Sequence, residues 1–306
     1  MQDWTGEIEA ARERIAAHVR RTPVMQAVLG GHDVALKFEH VQHTGSFKPR
    51  GAFNTLLSRE VPEAGVVAAS GGNHGAAVAY AAAQLGHRAK VFVPEMAGPA
   101  KIALIERAGA DLVVVPGAYA NALEAAEAHE AETGAMQVHA YDSVQTVAGQ
   151  GTVMAEWEAQ GLEADTVLIA VGGGGLIAGA LGWLAGRRKV VAVEPRLSCA
   201  LHAALQQGAP VDVDVSGVAA NALGARRIGE ICLELGQARN VESLLVEDDQ
   251  ITAARTLIWR ELRQAVEPAG ATAMAALLSG AYRLEKGERV AVLLCGANAA
   301  GFDGLM

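Results

Sequence analysis

Thr166-Val167-Leu168-Ile169-Ala170-Val171 carries no polar side chain after its first residue, and Gly172-Gly173-Gly174-Gly175 then hands the chain to Leu176-Ile177-Ala178-Gly179-Ala180-Leu181. A short apolar run before a glycine turn reads as a strand buried on both faces, with a small-residue helix behind it packed on the sheet. Four glycines between a strand and a helix expose backbone N–H groups at a positive helix end, which suits a phosphate or another anion.

Outward from this unit the alternation repeats. Ile8, Ala11, Ile15, Ala16 and Val19 mark a helix over 7–20, closed by Arg21-Thr22-Pro23, and residues 34–39 alternate as a strand. A helix through Ala52, Phe53, Leu56 and Leu57 leads to a buried strand at 66–69 and a helix over 76–85 ended by Gly86. Strands follow at 89–93 and 111–115, with helices around 99–108 and 119–133. The second half adds helices near 144–160, 198–207, 225–235, 248–266 and 269–280, and strands at 189–193 and 289–294. Strand–helix repetition with short connections predicts an α/β fold of two lobes, each a mainly parallel sheet flanked by helices. The expected seams make 46–146 a small domain inserted in a large one of residues 1–45 and 147–306.

Composition narrows the function. Apolar residues are 51% of the chain but aromatic ones only 4%, so the core is expected to be Ala, Val and Leu, which lets helices sit close on a sheet. A net charge of -9 argues against nucleic-acid and anionic-membrane partners. Cys199, Cys232 and Cys295 are too scattered for a disulfide framework or a zinc pair, and the N-terminus lacks a signal-peptide pattern, so the cytoplasm is the expected location.

Candidate chemistry centres on Lys48, in His43-Thr44-Gly45-Ser46-Phe47-Lys48-Pro49-Arg50-Gly51-Ala52. Pro49 suits a first helical turn. A positive helix end, apolar Phe47 and the nearby cation Arg50 all favour the neutral amine. A neutral amine is a nucleophile able to form a Schiff base with a carbonyl. Ser70-Gly71-Gly72-Asn73-His74-Gly75 joins a hydroxyl, an amide, an imidazole and free backbone donors, a set suited to a small carboxylate. Ser70 and His74 lack the G-x-S-x-G elbow of a serine hydrolase. His40 and His43 have no metal-site pattern and read as solvated loop residues. Cys295 ends the last strand, where ligands of open α/β sheets gather. A rival remains: Gly173, Gly175 and Ala178 fit G-x-G-x-x-A and Glu194 ends the next strand, as in an NAD-dependent oxidoreductase. That reading leaves the lysine stretch and the first glycine loop unexplained.

Taken together, these stretches resemble the fold-type II pyridoxal-phosphate enzymes (tryptophan synthase β-like), and within them the serine/threonine dehydratases. Ser46-Phe47-Lys48-Pro49-Arg50-Gly51-Ala52 resembles the family's S-F-K-x-R-G-A, and Ser70-Gly71-Gly72-Asn73-His74 its S-x-G-N-H. Gly172 to Gly175 with Leu176 resembles its phosphate loop; Val266-Glu267-Pro268-Ala269-Gly270-Ala271 and Cys295-Gly296-Ala297-Asn298 resemble two later signatures. The likeness spans nearly the whole chain. It implies that Lys48 carries pyridoxal 5'-phosphate as a Schiff base, that the tetraglycine loop holds the phosphate, that Phe47 packs on the ring, and that Asn73 bonds its phenolic oxygen. Ser70, Gly71, Asn73 and His74 should receive the substrate carboxylate, Cys295 should face the pyridine nitrogen, and Glu267 should lie near the cofactor or the substrate amine. The implied reaction is β-elimination from a 2-amino-3-hydroxy acid such as L-threonine or L-serine, giving a 2-keto acid and ammonia, with Lys48 as general base. A homodimer is implied as well.

Departures from the family pattern refine this. The family's racemases carry a second serine where this chain has Gly71, so little racemase activity is expected. Gly71 should also enlarge the space beside the substrate α-carbon, which admits phenylserine, hydroxyaspartate or a hydroxyectoine-derived amino acid. The family's cation site pairs a Glu with an Asp six residues on; Glu194 is followed there by Ala200, so no metal is expected. Asn221 stands where relatives often carry Asp. The chain stops at Met306 without the regulatory domain of biosynthetic threonine deaminases, which favours a catabolic role.

Overall fold

The computed structural model describes residues 2–117 and 119–298. Helix α1 (Trp4–Ile15) precedes a hairpin of β1 (Val24–Leu29) and β2 (His32–Phe38), and α2 (Pro49–Leu57) leads into β3 (Val66–Ala69), α3 (Asn73–Gln84), β4 (Ala89–Pro94) and α4 (Pro99–Arg107). Next come β5 (Asp111–Val115), α5 (Tyr119–Thr133), β6 (Met136–Gln137), α6 (Val144–Ala159), β7 (Thr166–Ala170) and α7 (Gly175–Leu184). The chain closes with β8 (Lys189–Pro195), α8 (Ala200–Gln207), α9 (Ala220–Leu223), α10 (Glu230–Ala238), β9 (Glu242–Val246), α11 (Asp248–Leu262), α12 (Pro268–Leu278) and β10 (Val290–Leu294).

Two sheets result, in the orders β1-β2-β10-β7-β8-β9 and β5-β4-β3-β6. Among the described residues every strand pairing is parallel except β1 with β2. This is the expected α/β class. The strands absent from the sequence reading, β1, β6 and β9, all lie at sheet edges. An edge strand is covered less completely, so it needs no continuous apolar run and leaves a weak pattern. In β1, Val24, Met25 and Val28 are exposed.

The central strands β7 and β10 are buried along their whole length, and so is α7. Small residues let helices crowd them, as the aromatic-poor composition predicts. Gly151 on α6 and Gly179 on α7 meet so closely that a Cβ on Gly179 would lie 2.7 Å from the Gly151 Cα.

One buried cluster fixes α2 to this layer. The Arg50 guanidinium donates to both carboxylate oxygens of Glu39, each at 2.8 Å, and to Glu156 at 3.0 Å. Lys37, on β2, donates to Glu156 and to Gln160, both at 2.6 Å. Arg50, Glu39 and Lys37 are essentially unexposed. Two cations and two carboxylates balance, and each survives burial because the others are present. Removing Glu39 leaves two cations sharing Glu156 in a largely dry site, so Glu39→Gln should destabilise the protein by about 3–5 kcal/mol. Urea unfolding measures this; a change below about 1 kcal/mol, the range of exposed pairs, would mean the cluster is solvated.

Candidate active site

The site forms where α2 starts against the end of β10. The Phe47 N–H donates to the Cys295 carbonyl at 3.2 Å, and Ser46 forms a bridge with Gly296. Lys48 follows as the residue capping α2, with Pro49 in the first turn as expected. Its Nζ donates to the Ala140 carbonyl at 2.8 Å and stands 5.2 Å from the Phe47 ring centroid. The side chain keeps some exposure toward the cleft, but desolvation at its amine brings the pKa down to about 8. A sizeable neutral fraction therefore exists near neutral pH. Arg50 does not contribute as expected, because its guanidinium turns away into the Glu39–Glu156 cluster. Burial does the work.

The pocket beside Lys48 is also lined by Gly172 to Gly175. These residues tolerate no side chain. A Cβ on Gly172 would sit 2.9 Å from the Leu223 Cα, and one on Gly174, at φ +94°, would lie 2.5 Å from the Cys232 Sγ. A Cβ on Gly173 would enter the Tyr141 ring. The loop leads directly into the N-terminus of α7, whose first-turn N–H groups have no partner within the helix.

Asn73, Glu267, Cys295 and Leu176 meet at the same pocket. The Asn73 Nδ2 donates to Glu267 Oε1 at 2.7 Å, and its Oδ1 accepts from Asn298 at 2.9 Å, so both ends of the amide are oriented. Burial pushes the Glu267 carboxyl up to about 7. The Cys295 thiol contacts the Ala269 carbonyl at 3.4 Å, and burial raises its pKa, so it stays a neutral thiol.

The first glycine loop joins this site only in part. Ser70 Oγ accepts from the Gly72 N–H at 3.2 Å and stays half-exposed. The His74 imidazole points elsewhere: Nε2 pairs with the Val138 carbonyl at 2.8 Å, and burial lowers its pKa to about 3. A neutral ring held in the interior cannot meet a carboxylate; only the His74 main-chain N–H, in the first turn of α3, is left for that role. Gly71 also differs from expectation. A Cβ there would lie 2.6 Å from that of Ala97, so the absent side chain makes room for the segment after β4 and does not widen the substrate space.

Other expectations are corrected too. Both Glu194 oxygens accept N–H groups at the start of α8, from Leu201 and His202, each at 2.8 Å. Its carboxylate caps a helix and is not presented to a ribose, which removes the acidic residue that the dinucleotide reading needs. His40 is buried against Gln264 at 2.9 Å, and His43 stacks on Tyr80, so neither is a solvated loop histidine.

Sequence reasoning missed residues 139–142. Ala140 supplies the carbonyl that holds Lys48, and the Tyr141 ring lies against Gly173, its hydroxyl donating to the Arg227 carbonyl at 3.3 Å. His139 Nδ1 accepts from the Asp142 N–H at 2.8 Å, and the Asp142 carboxylate accepts from Glu230 and Ile231 at the start of α10. The available signal was Ser143 as a helix cap with Asp142 before it. That marks a turn but no chemistry.

Comparison with known proteins agrees with this geometry. A family model described as "Pyridoxal-phosphate dependent enzyme" matches residues 15–296. The chain is 39% identical over 301 residues to a phenylserine dehydratase of Ralstonia pickettii, covering 95% of this chain and 92% of the relative. It is 33% identical over 303 residues to an L-threonine ammonia-lyase of Thermotoga maritima, covering 95% and 75%. Among solved structures, a threonine deaminase from T.th. superposes with a TM-score of 0.90 at 35% identity, covering 97% of this chain and 98% of that one. Maize serine racemase gives 0.91 at 29% identity, covering 97% and 94%.

The depressed Lys48 pKa has a direct consequence. Only the neutral amine adds to a carbonyl, so borohydride trapping of a small aldehyde on Lys48 should accelerate as pH rises through about 8 and level off above it. Peptide mapping of the cofactor-free protein follows the modification. A rate still climbing near pH ~10, the range of a solvated lysine, would contradict a desolvated amine.

Proposed function

Because the chain belongs to the pyridoxal-phosphate-dependent enzymes, we propose that it is an ammonia-lyase that dehydrates a 2-amino-3-hydroxy acid such as L-threonine or L-serine, releasing a 2-keto acid and ammonia. The observation that carries this reading is the desolvated Lys48 amine sharing a pocket with a glycine loop that admits no side chain. The residues present fit the cofactor. Gly172 to Gly175 and the start of α7 offer backbone donors to a phosphate, and Phe47 offers a face to a flat ring. Cys295 offers a neutral thiol to a ring nitrogen, and Asn73 an amide already oriented by Glu267 and Asn298.

When bound, pyridoxal phosphate supplies the aldehyde that takes up the substrate amine and the conjugated ring that accepts electrons from the α-carbon. The protein's part follows from its own groups. Lys48 would hold the cofactor, and its desolvated Nζ would be the neutral base for the substrate α-proton. The uncharged Cys295 does not force a proton onto the ring nitrogen, which suits elimination of a hydroxyl better than a long-lived carbanion. Ser70, Gly71, Asn73 and the main chain at His74 orient the carboxylate. Gly71 has no side chain to move a proton, and one there would meet Ala97, so position 71 offers no second acid or base, which supports a lyase over a racemase.

A second reading, a substrate with an aryl β-substituent, is favoured by the likeness to a phenylserine dehydratase. Among the described residues no helix is long and apolar enough to cross a membrane. With the acidic charge, this supports a cytoplasmic enzyme acting on a small amino acid, and the family likeness supports a homodimer.

Ammonia release from the holoenzyme with L-threonine, L-serine, phenylserine and 3-hydroxyaspartate tests the reading. Turnover of at least one is expected, and Lys48→Ala should reduce it by about a thousandfold or more. Silence across the panel, or an active alanine variant, would refute it.

A further inference from the structure

We propose that Lys101 is a docking cation for the substrate α-carboxylate, available in this chain because its partner across the cleft is the neutral Asn221. The proposal rests on the reading above in taking an α-amino acid as ligand and the first glycine loop as the place of its carboxylate. Lys101 lies in the first turn of α4, beside the four-stranded sheet, and Asn221 in α9, beside the six-stranded one. Its Nζ donates to Asn221 Oδ1 at 2.9 Å and to the Asn221 carbonyl at 3.3 Å. That same carbonyl lies 3.6 Å from where a Cβ on Gly72 would stand, and Gly72 is the residue from which α3 starts. The ammonium, Asn221 and the first glycine loop therefore meet at one point of the cleft.

A lysine is poorly matched to this place. The first turn of a helix is positive and repels a cation. Burial lowers its pKa, opposed by the field of Glu267. Amide oxygens accept its hydrogen bonds but do not neutralise it. Glu267 itself titrates near 7 and is already engaged by Asn73. Such a charge gains most when an anion arrives, since a charge-assisted bond replaces a neutral one. A carboxylate entering between the start of α3 and α9 would take the backbone donors of the first glycine loop on one side. On the other it would take Lys101, which releases one oxygen of Asn221. Were residue 221 an aspartate, the cation would already be neutralised.

The competing account is a plain strap, in which the Lys101–Asn221 bond holds the cleft together and never meets ligand. Titration of the holoenzyme with L-alanine, and separately with its carboxylate-free analogue L-alaninol, separates the two through the absorbance change of the bound cofactor. Docking predicts that Lys101→Gln weakens L-alanine binding about tenfold and L-alaninol less than about twofold. Asn221→Asp should act in the same direction, by competing for the ammonium. Asn221→Ala should leave L-alanine binding unchanged or tighter, because the cation is freed. The proposal is overturned if Lys101→Gln leaves L-alanine binding intact, if both probes weaken equally, or if Asn221→Ala weakens L-alanine as much as Lys101→Gln. L-alanine has no leaving group, so this readout stands apart from whether ammonia is released from any hydroxy amino acid.

Discussion

The site depends on an amine being kept out of water without an acid to pair with. Lys48 has a carbonyl, that of Ala140, in place of a carboxylate, and an aromatic face beside it. A carboxylate there would stabilise the ammonium and raise the pKa, and the nucleophile would be lost. The nearby acid-capable groups are held back: Cys295 is a thiol kept protonated by burial, and Glu267 is turned to Asn73.

Holding a lysine in that condition requires a rigid frame. Arg50 is two residues away and buried, and its pairing with Glu39 and Glu156 anchors the first turn of α2 to the end of β2 and to α6. On the other side, the Phe47 N–H bonds the end of β10. The cation that local sequence places beside Lys48 thus serves it mechanically and not electrostatically. Orientation of side chains on successive residues of a helix start decides between those roles.

Residues 139–142 join parts that are distant in sequence. One short turn supplies the carbonyl for Lys48, the ring against the glycine loop and the cap of α10. The cleft is accordingly a product of contacts between the two sheets, with α4 and α9 meeting at its mouth through Lys101 and Asn221.

Much of this was legible in one dimension. The apolar run at 166–171 with its four glycines, and the Pro49 turn after Lys48, encode their own local structure, because burial on both faces and a phosphate-ready turn need particular residue types in succession. The order of strands and helices, and hence the α/β class, follows from the same local patterns. What folding alone decided is where side chains point and what lies across a gap. His74, Glu194, Gly71 and Arg50 have chemistry that suits several tasks, and each was assigned by a neighbour its own local sequence does not supply: Val138, the start of α8, Ala97 and Glu39. Residue type sets what a group is able to do, but desolvation and partners at about 3 Å set what it does, and those are properties of packing.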